Sequence, residues 1–165
     1  MTAERGMVHA LELLHTALVP EGLLVDLRPA RRALPGRPDA GLPHVYCQEG
    51  ERRRHAGPLQ PLKPLAQYRA AELAVRKVIR DGLFVLQATE MFPFLFHIAS
   101  CQRFDEILAT HWTDTAAPTS TRRRLGTLMR TSRGAEITIV EHVRLNVMRK
   151  QTADGATAGT HVAFQ

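Results

Sequence analysis

The stretch HALELLHTALVPEGLLVDLRP (residues 9–29) places a helix, a turn and a strand in succession. Apolar residues recur at steps of three and four from Met7 to Leu18, which predicts an amphipathic helix. Pro20-Glu21-Gly22 predicts a turn, because proline sets one backbone angle and glycine permits a positive φ. Leu23 to Leu27 lacks polar alternation, which is typical of a strand covered on both faces, and Pro29 ends it.

Helical and strand patterns alternate through the rest of the chain. Leu65 to Asp81 carries the most regular helical stripe, with Gly82 placed as its C-terminal cap. Leu83 to Ile98 predicts a long strand or a bent pair of strands, in which Pro93 marks an edge position or a bulge. Ser100 is placed to cap a helix. The pattern also predicts a hairpin at 43–57, a short helix at 121–130 and a last strand at 136–148.

These elements together predict an α+β fold. We expect a mixed, largely antiparallel sheet of about five strands, with three to four packed helices and a projecting β-hairpin. Residues 1–150 are expected to form a single domain, and residues 151–165, which are small and polar, a flexible tail.

Composition excludes several classes of protein. Of 165 residues, 44% are hydrophobic and 23% charged, so the chain is globular in composition. Two cysteines exclude a disulfide scaffold. No apolar run reaches about 18 residues, and the chain does not begin with a signal peptide; we therefore expect a soluble cytoplasmic protein that does not enter the membrane.

The net charge of +6 comes mainly from arginine. The triplets Arg52-Arg53-Arg54 and Arg122-Arg123-Arg124 are typical of solvated surface. A nucleic-acid groove also needs exposed aromatic residues for stacking, and most of the aromatics lie in one apolar strand. Nucleic-acid binding through the arginines is therefore the third of three functional readings.

The sequence contains no phosphate loop, no dinucleotide fingerprint and no metal-binding or nucleophile signature, so no cofactor and no metal are expected. No two histidines lie three or four residues apart on a predicted helix. Cys101 stands near the start of a helix, a position that can lower a thiol pKa.

Two carboxylates break the apolar pattern of the long strands. Glu90 and Glu141 both fall on the apolar faces of their strands, where an unpaired carboxylate is costly. One hypothesis is a polar pocket with Glu90 and Glu141 as its acids, lined also by His111 and Trp112. The alternative is that a bulge, near Pro93 for Glu90, resets the register and turns the carboxylates to solvent.

Residues 9–29 resemble a segment of the class I S-adenosylmethionine-dependent methyltransferases. In that family a helix ends in a turn of the pattern h-L-x-P-G-G and leads into the fifth strand. Here the turn is Leu18-Val19-Pro20-Glu21-Gly22, with Glu21 in place of the first glycine. On the same plan, 65–81 matches the next helix, 82–98 the sixth strand region and 136–148 the seventh, antiparallel strand.

The resemblance covers only the C-terminal half of that family. Its cofactor is held by a glycine-rich loop and an acidic residue that both precede the matching region. The resemblance therefore implies a protein without the cofactor-binding half, and we expect it to be non-catalytic. A half sheet exposes an edge and nearby helix faces, which favours association as a homodimer or with a partner chain. The second reading is a small-molecule binder or enzyme that uses the Glu90 and Glu141 pocket.

Overall fold

A computed structural model describes residues 3–30, 41–62 and 66–152. Its helices are α1 (Ala3–Ala17), α2 (Ala66–Arg80), α3 (Cys101–Thr110) and α4 (Thr119–Arg130). Its strands are β1 (Leu23–Pro29), β2 (His44–Glu49), β3 (Arg52–Pro58), β4 (Gln60–Pro61), β5 (Phe84–Ile98), β6 (Thr115–Ala116) and β7 (Glu136–Lys150).

The strands confirm an α+β fold with a mostly antiparallel sheet of about five strands. Hydrogen bonding gives the order β1-β7-β2-β3, with β5 also paired to β7, while β4 and β6 form a separate pair. The predicted hairpin is present as β2 and β3, which pair antiparallel. It lies within the sheet rather than projecting from it, because β2 also pairs with β7.

The chain divides into two compact units. The single domain expected over 1–150 stays a prediction. Unit 1 comprises Met1–Arg28, Ala66–Glu90 and Arg144–Gln165, and unit 2 comprises Pro29–Leu65 and Met91–Val143. The predicted flexible tail, 151–165, lies outside the described residues apart from its first two.

Unit 1 packs α1 and α2 over a small apolar core. Its buried members come from both helices, β5 and β7: Val8, Ala74, Val75, Val78, Phe84 and Met148. The helical stripe predicted for 65–81 supplies Val75 and Val78 to this core. Gly82 follows α2 with φ 76, as its predicted role as a cap requires.

Unit 2 has a larger core formed by β2, β3, β7, α3 and α4. Val45, Ile137 and Ile139 are fully buried in it, with Phe104 and Leu125 almost as deep. Ser100 caps α3 as predicted, since its side chain accepts a hydrogen bond from the Arg103 amide at 3.2 Å. The helix predicted over 121–130 begins two residues earlier, at Thr119.

The turn between α1 and β1 contains a strained residue. Glu21 has φ 61, and among the described residues it is the non-glycine with a positive φ. A side chain in this region approaches the following carbonyl, which costs roughly 1–2 kcal/mol. Gly22 beside it has no room for a Cβ, which would lie 2.8 Å from the Val19 carbonyl oxygen.

Replacing Glu21 with glycine is expected to raise the free energy of unfolding by about 0.5–1 kcal/mol. Glycine removes the backbone strain, and the loss of the exposed ion pair with Arg149 takes back only a small part of the gain. Chemical denaturation measures the change. The control is Glu21→Gln, which loses the ion pair and keeps the strain; an E21G variant less stable than E21Q would contradict the prediction.

Candidate interaction site at strand β1

Strand β1 has its charged residues facing inward and three of its aliphatic residues facing outward. Leu23, Val25 and Leu27 are exposed by 57%, 59% and 56%. Asp26 and Arg28, at the alternate positions, are only 20% and 13% exposed. This is the reverse of the usual arrangement of a strand at a protein surface, where the polar side chains face water.

The sequence prediction that this strand is covered on both faces is wrong for the described residues. One face is covered within unit 1, where Leu24 packs against the core. The other face is open. The sequence contains a signal for this arrangement. Asp26 and Arg28 are two residues apart and must share one face of the strand, so the other face carries Leu23, Val25 and Leu27.

The backbone of β1 uses one edge for β7, and no other described strand pairs with its second edge, here called the free edge. The Lys150 amide donates to the Gly22 carbonyl at 2.8 Å, and the Ala30 amide donates to the His142 carbonyl at 2.8 Å. Even-numbered residues of β1 therefore bond to β7, and the amides and carbonyls of the odd-numbered residues point the other way. Within the described part of the chain, β1 ends the order of strands.

A network of polar side chains holds the inner face of β1. The Asn146 amide donates to Asp26 Oδ2 at 2.7 Å, and Thr89 donates to Asn146 Oδ1 at 2.9 Å. Arg28 contacts Asp26 at 3.3 Å. Because these partners lie on β1, β5 and β7, the network links three strands of unit 1.

Glu72 of α2 extends this network to the helix. Its carboxylate accepts hydrogen bonds from Arg144 at 2.7 Å, Arg28 at 3.0 Å and Arg76 at 3.1 Å. Burial alone would raise the pKa of the Glu72 carboxyl, but the three arginines outweigh it and hold the pKa below its usual value. Glu72 is therefore ionised at neutral pH and bonds β1 and β7 to α2.

Further apolar side chains of unit 1 are exposed on α1 and on the turn after it. Leu13 is 57% exposed, Leu14 45% and Val19 70%. Together with the outer row of β1, they leave unit 1 with six exposed aliphatic residues between positions 13 and 27. A concentration of this kind marks an interaction surface more often than an isolated exposed leucine does.

The middle of β5 is also exposed. Every residue from Gln87 to Leu95 is exposed, including Met91 at 57% and Phe94 at 43%. Among the strands that the structure describes, β5 pairs with β7 alone, so Pro93 lies in an edge strand as predicted. A proline in an edge strand opposes pairing with another strand. Strand β5 has Pro93 near its middle, whereas residues 23–27 of β1 contain no proline.

The two carboxylates predicted to line a pocket differ in burial. Glu90 is exposed, whereas Glu141 is buried, with 6% of its surface exposed. The alternative for Glu90, a change of register that turns it to solvent, fits the contacts before it. Phe84 and Leu86 pack into the core of unit 1, yet Thr89 bonds Asn146 on the same side, so the alternation shifts by one residue between Leu86 and Thr89.

His111 and Trp112 lie together at the end of α3, in unit 2. His111 is the exposed C-cap residue, and Trp112 is half-buried with its ring edge-on to Phe96 at 5.0 Å between centroids. Trp112 thus packs against the core of unit 2. A cleft of 350 Å³ in unit 1 is lined by residues of α1 and α2 and by none of the four residues predicted for the pocket. The pocket remains a prediction.

Two histidines meet on the hairpin of unit 2. His44 Nδ1 and His55 Nε2 are 2.9 Å apart, and the His55 ring also contacts Tyr46. Partial burial, His44 and Arg124 lower the pKa of His55, so its neutral form is favoured. Among the residues that the structure describes, no group of three or more His, Cys, Asp or Glu side chains is placed to hold a metal ion.

The Cys101 thiol is less reactive than its position at a helix start suggests. Burial, Asp105 and Cys47 raise its pKa, which opposes formation of the thiolate. This direction is opposite to the lowering that a helix start can produce, and it gives Cys101 no reactive role.

The arginine triplets lie largely on the surface. Five of the six side chains are exposed, and Arg54 is half-buried. Arg53 lies over the Tyr46 ring, Arg54 bonds Ser132, and Arg122 pairs with Asp105. Several of these cations therefore have partners within the chain, and nucleic-acid binding remains a prediction without added support.

Comparison with known proteins returns no match: no family model, no curated protein and no solved structure is similar to this chain. Across the described ranges, no helix combines the length and apolar character needed to span a membrane.

Proposed function

We propose that this chain is a non-catalytic, methyltransferase-like half that works by association, with a second copy of itself as the partner. The observation that carries the proposal is the reversed strand β1, on which Leu23, Val25 and Leu27 face outward while Asp26 and Arg28 face inward. A protein gains nothing in water from presenting three alternate aliphatic residues on an edge strand, and such a strand is a ready template for another chain.

The likeness to a methyltransferase half is supported by the arrangement of β1, β5 and β7. Helix α1 leads through the 20–22 turn into β1, and β7 lies antiparallel to β1, as the resemblance implies for its last strand. The Gln151 amide donates to the Leu83 carbonyl, so β7 and its extension contact β5 on the edge that does not face β1.

The energetic balance favours association of two such surfaces. Full burial of a leucine or valine side chain is worth about 1.5–3 kcal/mol. The three outer residues of β1 are each more than half exposed, so more than half of this free energy is still to be gained when a partner covers them. Six such residues in a dimer contribute about 5–10 kcal/mol, which is comparable with the cost of association. Hydrogen bonds along the free edges, each worth about 0.5–1.5 kcal/mol net, then favour the dimer.

The test is the solution mass of the whole chain, measured by light scattering over a range of concentrations. We expect twice the chain mass of 18.4 kDa, and loss of the dimer in the double variant Leu23→Ser, Leu27→Ser. The matched control is Leu73→Ser, since Leu73 lies on α2 of the same unit and is 41% exposed. A wild-type chain that stays monomeric up to about 100 µM would contradict the proposal, because that requires association weaker than about 5.5 kcal/mol.

A further inference from the structure

The free edge of β1 has a complete set of backbone donors and acceptors at its odd positions. Leu23, Val25 and Leu27 each point an amide and a carbonyl away from β7. None of them is proline, and the turn residue Glu21 and Pro29 lie just beyond them. The segment available for pairing is therefore five residues long and bounded on both sides.

We infer that β1 pairs antiparallel with β1 of a second copy, about a two-fold axis at Val25, to join two sheets into one. This inference rests on the proposed association and names its surface, partner and register. In this register Val25 faces Val25 of the second copy, and Leu23 faces Leu27. The two edges then exchange about six backbone hydrogen bonds.

The register follows from what lies at the two ends of the segment. Moving the axis to Leu27 places Pro29 opposite Val25, where a donor is missing. Moving it to Leu23 places Glu21, which has left-handed backbone geometry, opposite Val25. Only the axis at Val25 pairs all three odd residues with residues that are extended and carry an N–H.

The side chains point to a second copy rather than an unrelated strand. The outer row reads Leu-Val-Leu and is the same in both directions, so a two-fold axis matches it to itself. It forms a continuous band of six aliphatic side chains across the joined strands. On the inner face Asp26 lies opposite Leu24 of the second copy, and no like charges stand directly opposite.

The edge of β1 is also held rigid before association. Asp26 and Arg28 are fixed by Asn146 and Glu72, so the strand does not have to become ordered when it pairs. A preformed edge loses less conformational entropy on binding than a mobile segment.

Crosslinking with a short bismaleimide tests the register in a Cys101→Ser background, with Cys47 retained because it is buried. Val25→Cys is expected to crosslink efficiently. The single variants Leu23→Cys and Leu27→Cys are expected not to crosslink, since each cysteine lies about 14 Å along the strand from the same cysteine in the second copy. A mixture of the Leu23→Cys and Leu27→Cys chains is expected to crosslink.

A proline variant tests whether backbone pairing holds the dimer. Val25→Pro removes an N–H from the free edge and leaves the bonds to β7 intact, so we expect a folded monomer with dimerisation weakened about tenfold or more. The control is Val25→Thr, which keeps the N–H and is expected to remain largely dimeric. Circular dichroism reports whether each variant folds.

The outcomes separate this inference from the proposed function. A monomeric wild-type chain would overturn both. If the wild type is a dimer but the Leu23→Cys variant crosslinks with itself as efficiently as the Val25→Cys variant, the register is wrong and the association stands. A dimer that Val25→Pro leaves unchanged would overturn strand pairing and leave association through the apolar row.

Discussion

Replacing Gly57 with alanine is expected to lower the free energy of unfolding by about 3–5 kcal/mol, enough to unfold unit 2 in a chain of ordinary stability. Gly57 has φ 152, a conformation that residues with a side chain rarely adopt. An added Cβ would lie 2.2 Å from Thr121 Oγ1 and 3.1 Å from its Cβ. Strand β3 and helix α4 are packed at this point without room for a methyl group.

Thr121 cannot easily move aside. It is 2% exposed, and its hydroxyl donates to the Pro58 carbonyl at 3.1 Å. Relieving the clash therefore requires a shift of α4, which would open contacts of Leu125 with the core.

Thermal and chemical denaturation measure the effect of Gly57→Ala. The matched control is Gly126→Ala in α4, where the nearest atom to an added Cβ is the end of the Arg130 side chain at 3.5 Å. That change is expected to stabilise the protein by about 0.5–1 kcal/mol, because alanine is the better helix former. In the double variant Gly57→Ala, Thr121→Ala part of the lost stability should return. A G57A variant as stable as wild type would show that the close packing of β3 on α4 is wrong.

Replacing Glu72 with glutamine is expected to lower the free energy of unfolding at pH 7 by about 2–3 kcal/mol. Breaking a fully buried ion pair costs about 3–5 kcal/mol, and Glu72, at 30% exposure, should show a smaller loss. Arg28 Nη1 and Arg144 Nε are already buried without a hydrogen-bond partner in the part of the chain described. Removing the carboxylate leaves these two guanidinium groups without their common counter-charge.

The pH dependence distinguishes lost charge from lost packing. The pKa of Glu72 is lower in the folded chain than in the unfolded one, so its stabilisation is present above the usual glutamate range. It is lost as pH falls through the folded pKa. The difference between wild type and E72Q should therefore be full near pH 7 and shrink as pH drops below about 4.5.

The control for this pH series is Glu12→Gln on α1. Glu12 is 51% exposed and, among the described residues, forms an ion pair with His9 at 3.7 Å, so its replacement should cost about 0.5 kcal/mol or less. A stability difference for E72Q that stays constant from pH 7 to pH 3 would mean that Glu72 acts through packing and not through charge.

Much of the local structure was predictable because short-range chemistry decides it. The stripe of α2, the Ser100 cap, the Gly82 turn and the β2-β3 hairpin depend on residues within a few positions of each other. In contrast, the position of β7 between β1 and β5 depends on hydrogen bonds between residues more than 60 apart, which no local pattern encodes.

The candidate site was predictable only in part. Among the described strands β1 ends the sheet order and its outer apolar row is exposed. The half sheet from which an exposed edge was expected stays a prediction. Strand β1 was expected to be covered on both faces because it is rich in Leu and Val. Such a sequence does not show whether a neighbouring element covers the strand or leaves it exposed. The sequence left open whether Glu90 faces the core or the solvent, because a one-residue shift reverses the faces of the side chains that follow it and no local pattern fixes where the shift occurs.

From its sequence alone, this chain is determined to be α+β, with helix α1, a tight turn and strand β1 in order, since periodicity and turn residues act over a few positions. Only the tertiary structure decided which face of β1 is covered. Asp26 and Arg28 can be turned inward only because Asn146 and Glu72, distant in sequence, supply partners that compensate for the lost hydration. That inward turn is what places Leu23, Val25 and Leu27 on the outside.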